Sequence, residues 1–271
     1  MTVTNPPRPD FPPLPGWLRR AGWLVVLVCG VAAYVVVLRV MVVTENINFF
    51  PALLLIGATT VPLSVLALVY AGRRRLVVPP WVVLSTAIVG GIVGVLAAGV
   101  LEYDTMRGLG VLPMVFVAII EEAAKLVVPL LLLVLFRPRD ARPGVVVGVA
   151  SGMGFAVLET MGYGFQALLS AHSIAAVDET LLLRGLLSPS CHIAWTGMTV
   201  AMLWRLPSAQ HRGRALTALG ATYLVAVALH ATWDGSSSLP VHVLVASISL
   251  LVLIGFILRS HRRAESMMGQ R

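Results

Sequence analysis

Eight continuously apolar runs dominate this chain, at roughly 21–41, 50–71, 81–101, 109–136, 144–170, 185–204, 215–235 and 239–258. A helix of about 20 apolar residues crosses a hydrocarbon core about 30 Å thick. Lipid offers free backbone groups no partner, so only helices or a closed barrel can span it. A barrel alternates apolar and polar residues along each strand, and these runs show no such alternation. The expected fold is all-α: a polytopic membrane helix bundle of about eight transmembrane helices. The hydrophobic share is 58% and the charged share 12%, where a soluble domain carries about a quarter charged residues. With 271 residues in all, the runs leave little chain for a separate soluble domain.

The net charge of +8 would point to nucleic acid if the basic residues formed one face. Instead they sit in short clusters between apolar runs, which is a topology signal, and no nucleic-acid partner is expected. Arg8, Arg19 and Arg20 precede the first run; Arg73, Arg74 and Arg75 follow the second; Arg137, Arg139 and Arg142 follow the fourth. Arg205, Arg212 and Arg214 follow the sixth, and Arg259, Arg262, Arg263 and Arg271 follow the eighth. The other side receives only Arg107 and Arg184, so the bias places both termini in the cytoplasm. The expected organisation is a disordered, proline-rich cytoplasmic tail over 1–20, an integral membrane domain over 21–259, and a basic cytoplasmic tail over 260–271. Arg19 and Arg20 precede a full-length run, not a short apolar segment with a cleavage site, so no cleavable signal peptide is expected. Cys29 and Cys191 both fall inside apolar runs, which argues against a disulfide framework.

Topology leaves a few ionisable residues unexplained within the runs: Arg39, Glu121, Glu122, Lys125, Glu159, His192, His230 and Asp234, with His242 near a run's end. Each costs about 2.5–3.5 kcal/mol at mid-bilayer, and such residues mark functional sites. Glu121 and Glu122 stand four and three residues before Lys125, the chain's only lysine, so one ammonium reaches either carboxylate on a helix face. Two neighbouring carboxylates with split proton affinities suit general acid–base chemistry. Pro113 and Pro129 flank this motif and can bend the helix. Further on stand Gly152-Met153-Gly154-Phe155 with Glu159, then His192 with Trp195 and Thr196, then His230 and Asp234 at i,i+4. At about 1.5 Å per residue, Glu121 lies about twelve residues from the outer end of its run and His192 about seven. On the same scale Glu159 lies about fifteen residues from the inner end of its run and His230 about sixteen. All four fall between the midplane and the outer surface, so four consecutive helices can line one outward-opening cavity. These residues equally suit an ion-coupled transporter, or a polar cluster that merely locks helices together.

Four motifs in order over residues 109–238 resemble the PrsW family of intramembrane proteases: Glu121-Glu122-x-x-Lys125, Gly152-x-x-Phe155-Ala156-x-x-Glu159, His192 before Trp195-Thr196, and His230-x-x-x-Asp234. That family is similar to the CAAX prenyl protease and bacteriocin-immunity membrane proteins. The resemblance implies hydrolysis of a peptide bond at the membrane, in the bacterial plasma membrane. It implies a single-span membrane protein as substrate, such as an anti-sigma factor cut on its extracytoplasmic side. Thr160 stands where the family usually has Asn, a departure that leaves Glu159 in place.

Two mechanisms follow. In one, Glu159, His192, His230 and Asp234 hold a Zn²⁺-like ion while Glu121 or Glu122 is the base, since catalytic zinc takes three protein ligands and a water. In the other, Glu121 activates water without a metal, and His192 or His230 stabilises the oxyanion. A nucleophilic Cys191 beside His192 is a third route, disfavoured because adjacent residues on a helix point apart.

Overall fold

The computed structural model of the chain describes residues 16–71, 78–110, 113–136, 143–187 and 191–266. Residues 1–15 and 267–271, and with them most of the expected tails, lie outside that set, as do the arginines of loops 72–77 and 137–142. Among the described residues the regular structure is helical throughout: α1 (Gly16–Thr44), α2 (Phe50–Ala71), α3 (Pro80–Leu109), α4 (Met114–Phe136) and α5 (Pro143–Ala171) come first. They are followed by α6 (Ile174–Leu187), α7 (His192–Leu203), α8 (Arg212–Asp234) and α9 (Leu239–Ser266). Short 3₁₀ turns precede α2 and follow α7. Helices α1 and α9 extend past the boundaries expected at residues 20 and 260.

Six segments are long and apolar enough to cross a membrane: Ala21–Thr44, Ile47–Val69, Pro80–Leu109, Pro143–Ala171, Arg212–Asp234 and Leu239–Phe256. They present Leu, Val and Ile outward, for example Val36 and Val43 on α1, Leu96 on α3 and Leu251 on α9. The chain is thus a multi-pass membrane protein. Helix α4 has the length, at 23 residues, and is set apart from the six by Glu121, Glu122 and Lys125. Helix α3 stops where Gly110 takes a left-handed φ of 71°, a conformation that costs glycine little, with its N–H donated to the Met106 carbonyl.

The run expected as one helix over 185–204 is two shorter ones, and it begins eleven residues earlier, at Ile174. Residues 188–190 between them lie outside the described set; their sequence includes Pro189, which has no N–H for a helix ladder. Helices α6 and α7 follow one another along α5, which they meet antiparallel. Leu181 lies by Gly164, Arg184 by Glu159, Thr196 by Gly152 and Trp204 by Gly144. At 14 and 12 residues, they measure about 21 Å and about 18 Å. Every residue of α7 except Met202 is buried.

Arg184 is no outer-loop residue: it stands on α6, and only 14% of its side chain is exposed.

Close packing on α5 depends on small residues. A Cβ added at Gly152 would come within 2.6 Å of the His192 carbonyl oxygen, so that glycine sets how near α7 approaches. On another face, a Cβ at Gly154 would meet the Ala87 carbonyl of α3. Beneath this level Val145, Val146 and Val149 of α5 pack with Ile193, Val200 and Ala201 of α7 into an apolar core.

Candidate active site

Helix α4 brings the first charges. Lys125 Nζ lies 2.8 Å from Glu122 Oε1 and 3.2 Å from Glu121 Oε2, the i,i+3 and i,i+4 pairs expected of one helix face. Its third contact crosses to α7, where His192 Nδ1 lies 2.9 Å away. Three N–H groups therefore meet three acceptors, and the ammonium sits 4.1 Å from the centroid of the Phe155 ring on α5. Pro129, four residues on from Lys125, has no N–H to give the Lys125 carbonyl. Ser151 of α5 fills that vacancy with a hydroxyl hydrogen bond of 2.8 Å, and Trp204, the C-cap of α7, donates to the Pro129 carbonyl at 3.2 Å. The helix irregularity that proline creates is thus used to clamp α4 against α5 and α7. Pro113 marks the start of α4, accepting from the Phe116 N–H at 2.8 Å.

Helix α8 brings His230 against the same carboxylates. His230 Nδ1 lies 2.9 Å from Glu122 Oε1, while Nε2 lies 3.0 Å from Asp234 Oδ2 and 3.5 Å from Glu121 Oε2. Trp195 stacks on the His230 ring with centroids 4.9 Å apart and donates its indole N–H to Ser249 at 2.8 Å. His192 closes the group: its Nε2 is 3.1 Å from Glu159 Oε2, which also holds Arg184 Nη2 at 2.6 Å. The two imidazole centroids are 5.1 Å apart. All seven residues singled out by sequence, Glu121, Glu122, Lys125, Glu159, His192, His230 and Asp234, thus meet in one cluster drawn from α4, α5, α7 and α8.

Others stand elsewhere. Arg39 is exposed on α1, and His242 packs on Trp233 with its Nε2 3.0 Å from the Trp233 carbonyl. Cys191 is buried among Trp195, Met198 and Ala226, an apolar setting that gives a thiol no activation.

The cluster opens to one side. Side-chain exposure is 0% at Lys125 and His230 and 2% at Glu122 and His192; it rises to 10% at Glu121, 14% at Glu159 and 18% at Asp234. The most exposed of them, Asp234, ends α8, and the valine core of α5 and α7 closes the opposite side.

The donor set suits a metal ion. Glu121, His192 and His230 each offer a ligand atom, and these three atoms lie within 4.8 Å of one another. One carboxylate and two imidazoles form a familiar set for catalytic zinc. His230 Nε2 is buried and lacks a hydrogen bond of proper direction, although two carboxylates flank it. A ring nitrogen so placed among carboxylate oxygens is a ligand atom that could take a cation. Glu159 and Asp234, expected as ligands, lie around this set: Glu159 touches His192, and Asp234 touches His230.

Sequence reading did not find Arg184, nor the supporting roles of Ser151 and Trp195. The signal for α6 was present: Val177, Leu181 and Gly185, its buried residues, recur every four positions, which is a helix stripe that carries Arg184 inward.

A multi-pass helix bundle whose acid, base and imidazole groups converge inside the membrane has the build of an intramembrane hydrolase. The chain matches the PrsW family intramembrane metalloprotease over residues 78–259, more than half its length, and it belongs to that family. It is therefore a membrane protease, a hydrolase of intramembrane proteolysis. Neither a curated protein nor a solved structure matches the chain.

Proposed function

We propose that this protease cuts a single-span membrane protein within the extracytoplasmic half of the bilayer, as one step of regulated intramembrane proteolysis, with Zn²⁺ at Glu121, His192 and His230. The one-sided gradient of exposure from Lys125 to Asp234 carries this reading. With eight crossings, the sixth made of α6 and α7, and both termini in the cytoplasm of a bacterial cell, that open side faces outward. A substrate such as an anti-sigma factor would reach it from there.

A zinc ion so held supplies Lewis-acid polarisation and an acidified water. The chain's own residues do the rest. Glu122 touches His230 at Nδ1, 2.9 Å away, and Glu159 touches His192 at Nε2, 3.1 Å away, so each imidazole is held by one carboxylate. Lys125 balances the Glu121–Glu122 pair. Asp234 is the most exposed carboxylate of the cluster, placed to take a proton from water and return it to the leaving amine. The valine core below keeps bulk water out.

An ion-coupled transporter needs a path to both faces, and here the polar cluster ends at Lys125 against apolar packing. The test uses purified protein and single-span candidate substrates in liposomes. Cleavage should map to the outer half of the substrate's span, and Glu121→Gln should abolish it. Cleavage in the inner half would refute the proposed orientation.

A further inference from the structure

We propose that Tyr163 is a further catalytic residue: its hydroxyl donates a hydrogen bond to the oxyanion that forms when water adds to the scissile carbonyl. Tyr163 belongs to none of the four motifs that carry the family resemblance. The inference rests on the protease activity, not on the identity of the metal or the side of the membrane.

Peptide hydrolysis puts a negative charge on the former carbonyl oxygen, and one donor aimed there is worth about 10²–10³ in kcat. The buried donors of the cluster are already committed. Lys125 meets Glu121, Glu122 and His192. Arg184 Nη2 is held by Glu159 at 2.6 Å, and Trp195 gives its indole N–H to Ser249. The ring nitrogens of His192 face Lys125 and Glu159, and those of His230 face Glu122 and Asp234. Neither imidazole therefore has a nitrogen without a partner to turn toward an oxyanion.

Tyr163 is differently placed. It stands on α5 one turn beyond Glu159, and 43% of its surface is exposed. Its hydroxyl makes no hydrogen bond among the described residues, yet it lies in the field of Glu159, Arg184, Asp234 and Glu121. Three of these are the carboxylates that line the open side of the cluster. The ring is held by Arg184, whose guanidinium carbon lies 3.8 Å from its centroid. A cation against the ring face draws on its π density and leaves the hydroxyl hydrogen more positive, a better donor.

The step balances. Water gives a proton to Asp234 as its oxygen bonds to the carbonyl carbon. The C=O π pair moves onto the carbonyl oxygen, and that oxyanion accepts from Tyr163. The pair returns as the C–N bond breaks, and Asp234 passes its proton to the leaving amine. Tyr163 keeps its own proton throughout, so its hydrogen bond strengthens only as the charge develops and acts on kcat, not KM.

Tyr163→Phe is the test, because it removes one oxygen and keeps the ring on Arg184. In full-length protein cleaving a single-span substrate in liposomes, kcat should fall on the order of 10²–10³-fold, with KM, bound zinc and unfolding temperature unchanged. A second readout needs no turnover. A phosphonate analogue of the cleaved sequence carries a tetrahedral anionic centre, and the N-terminal product peptide has a planar carboxylate in its place. Calorimetry should show Tyr163→Phe binding the phosphonate on the order of 10²-fold more weakly than wild type does, while the product peptide binds both alike. An unchanged kcat, or equal losses for phosphonate and product, would overturn the proposal. Cleavage in the inner half of the substrate's span, or cleavage without zinc, would sink the reading above, and Tyr163→Phe would still be judged by the same two readouts.

Discussion

Lys125 Nζ and His192 Nδ1 lie 2.9 Å apart, joining α4 to α7 through two buried side chains. Neither residue makes sense alone in lipid; together with Glu121 and Glu122 they form a closed set of donors and acceptors. Lys125→Met should leave those carboxylates without a counter-charge and destabilise the protein by about 3–5 kcal/mol, read as a fall in unfolding temperature in detergent. Lys125→Arg should not restore it, because a branched, planar fork needs room that a fully buried ammonium does not leave. A methionine variant as stable as wild type would show that the pairs contribute nothing net.

The Ser151 hydroxyl answers the Lys125 carbonyl that Pro129 leaves without its helix partner. Ser151→Ala should therefore cost about 1–3 kcal/mol for an unsatisfied buried acceptor. Adding Pro129→Ala returns the missing N–H, and the double variant should recover most of the loss in the same unfolding assay. Failure of that rescue would detach Ser151 from the proline.

Gly152 sets the approach of α7 at the level of His192. Gly152→Ala places a methyl 2.6 Å from the His192 carbonyl, backbone that cannot swing aside. The expected cost is about 1–3 kcal/mol of overpacking, together with a loss of kcat larger than any change in KM, because the histidine shifts relative to its partners. Gly162, with open space around the position of its Cβ, is the control, and Gly162→Ala should leave kcat intact.

Glu121 and Asp234 should separate by what each variant loses. Glu121→Gln should lose both bound zinc and cleavage, as a ligand does. Asp234→Asn should keep zinc while kcat falls on the order of 10²–10⁴-fold, as expected for a general base. Metal analysis beside single-turnover cleavage decides between them, and loss of zinc from Asp234→Asn would make Asp234 a ligand.

The bundle was legible from the apolar runs because hydropathy at the bilayer scale needs no tertiary information, and the charged exceptions inside those runs marked the cluster. Two things escaped. Runs of hydropathy do not show the short helix α6, whose buried stripe is Val177, Leu181 and Gly185, and Arg184 stands on it. Local spacing also cannot rank carboxylates that come from different helices. Glu121, Glu159 and Asp234 look equivalent in sequence, and only packing shows Glu121 grouped with both histidines while Glu159 and Asp234 each touch one.

The central claim is a zinc site formed by Glu121, His192 and His230, and the most direct measurement is metal content by plasma mass spectrometry on detergent-purified protein. Wild type should carry about one zinc per chain, lost in folded Glu121→Gln and His230→Ala variants together with peptide cleavage. Wild type that cleaves its substrate while carrying no metal, and goes on cleaving in the presence of a strong chelator, would contradict it.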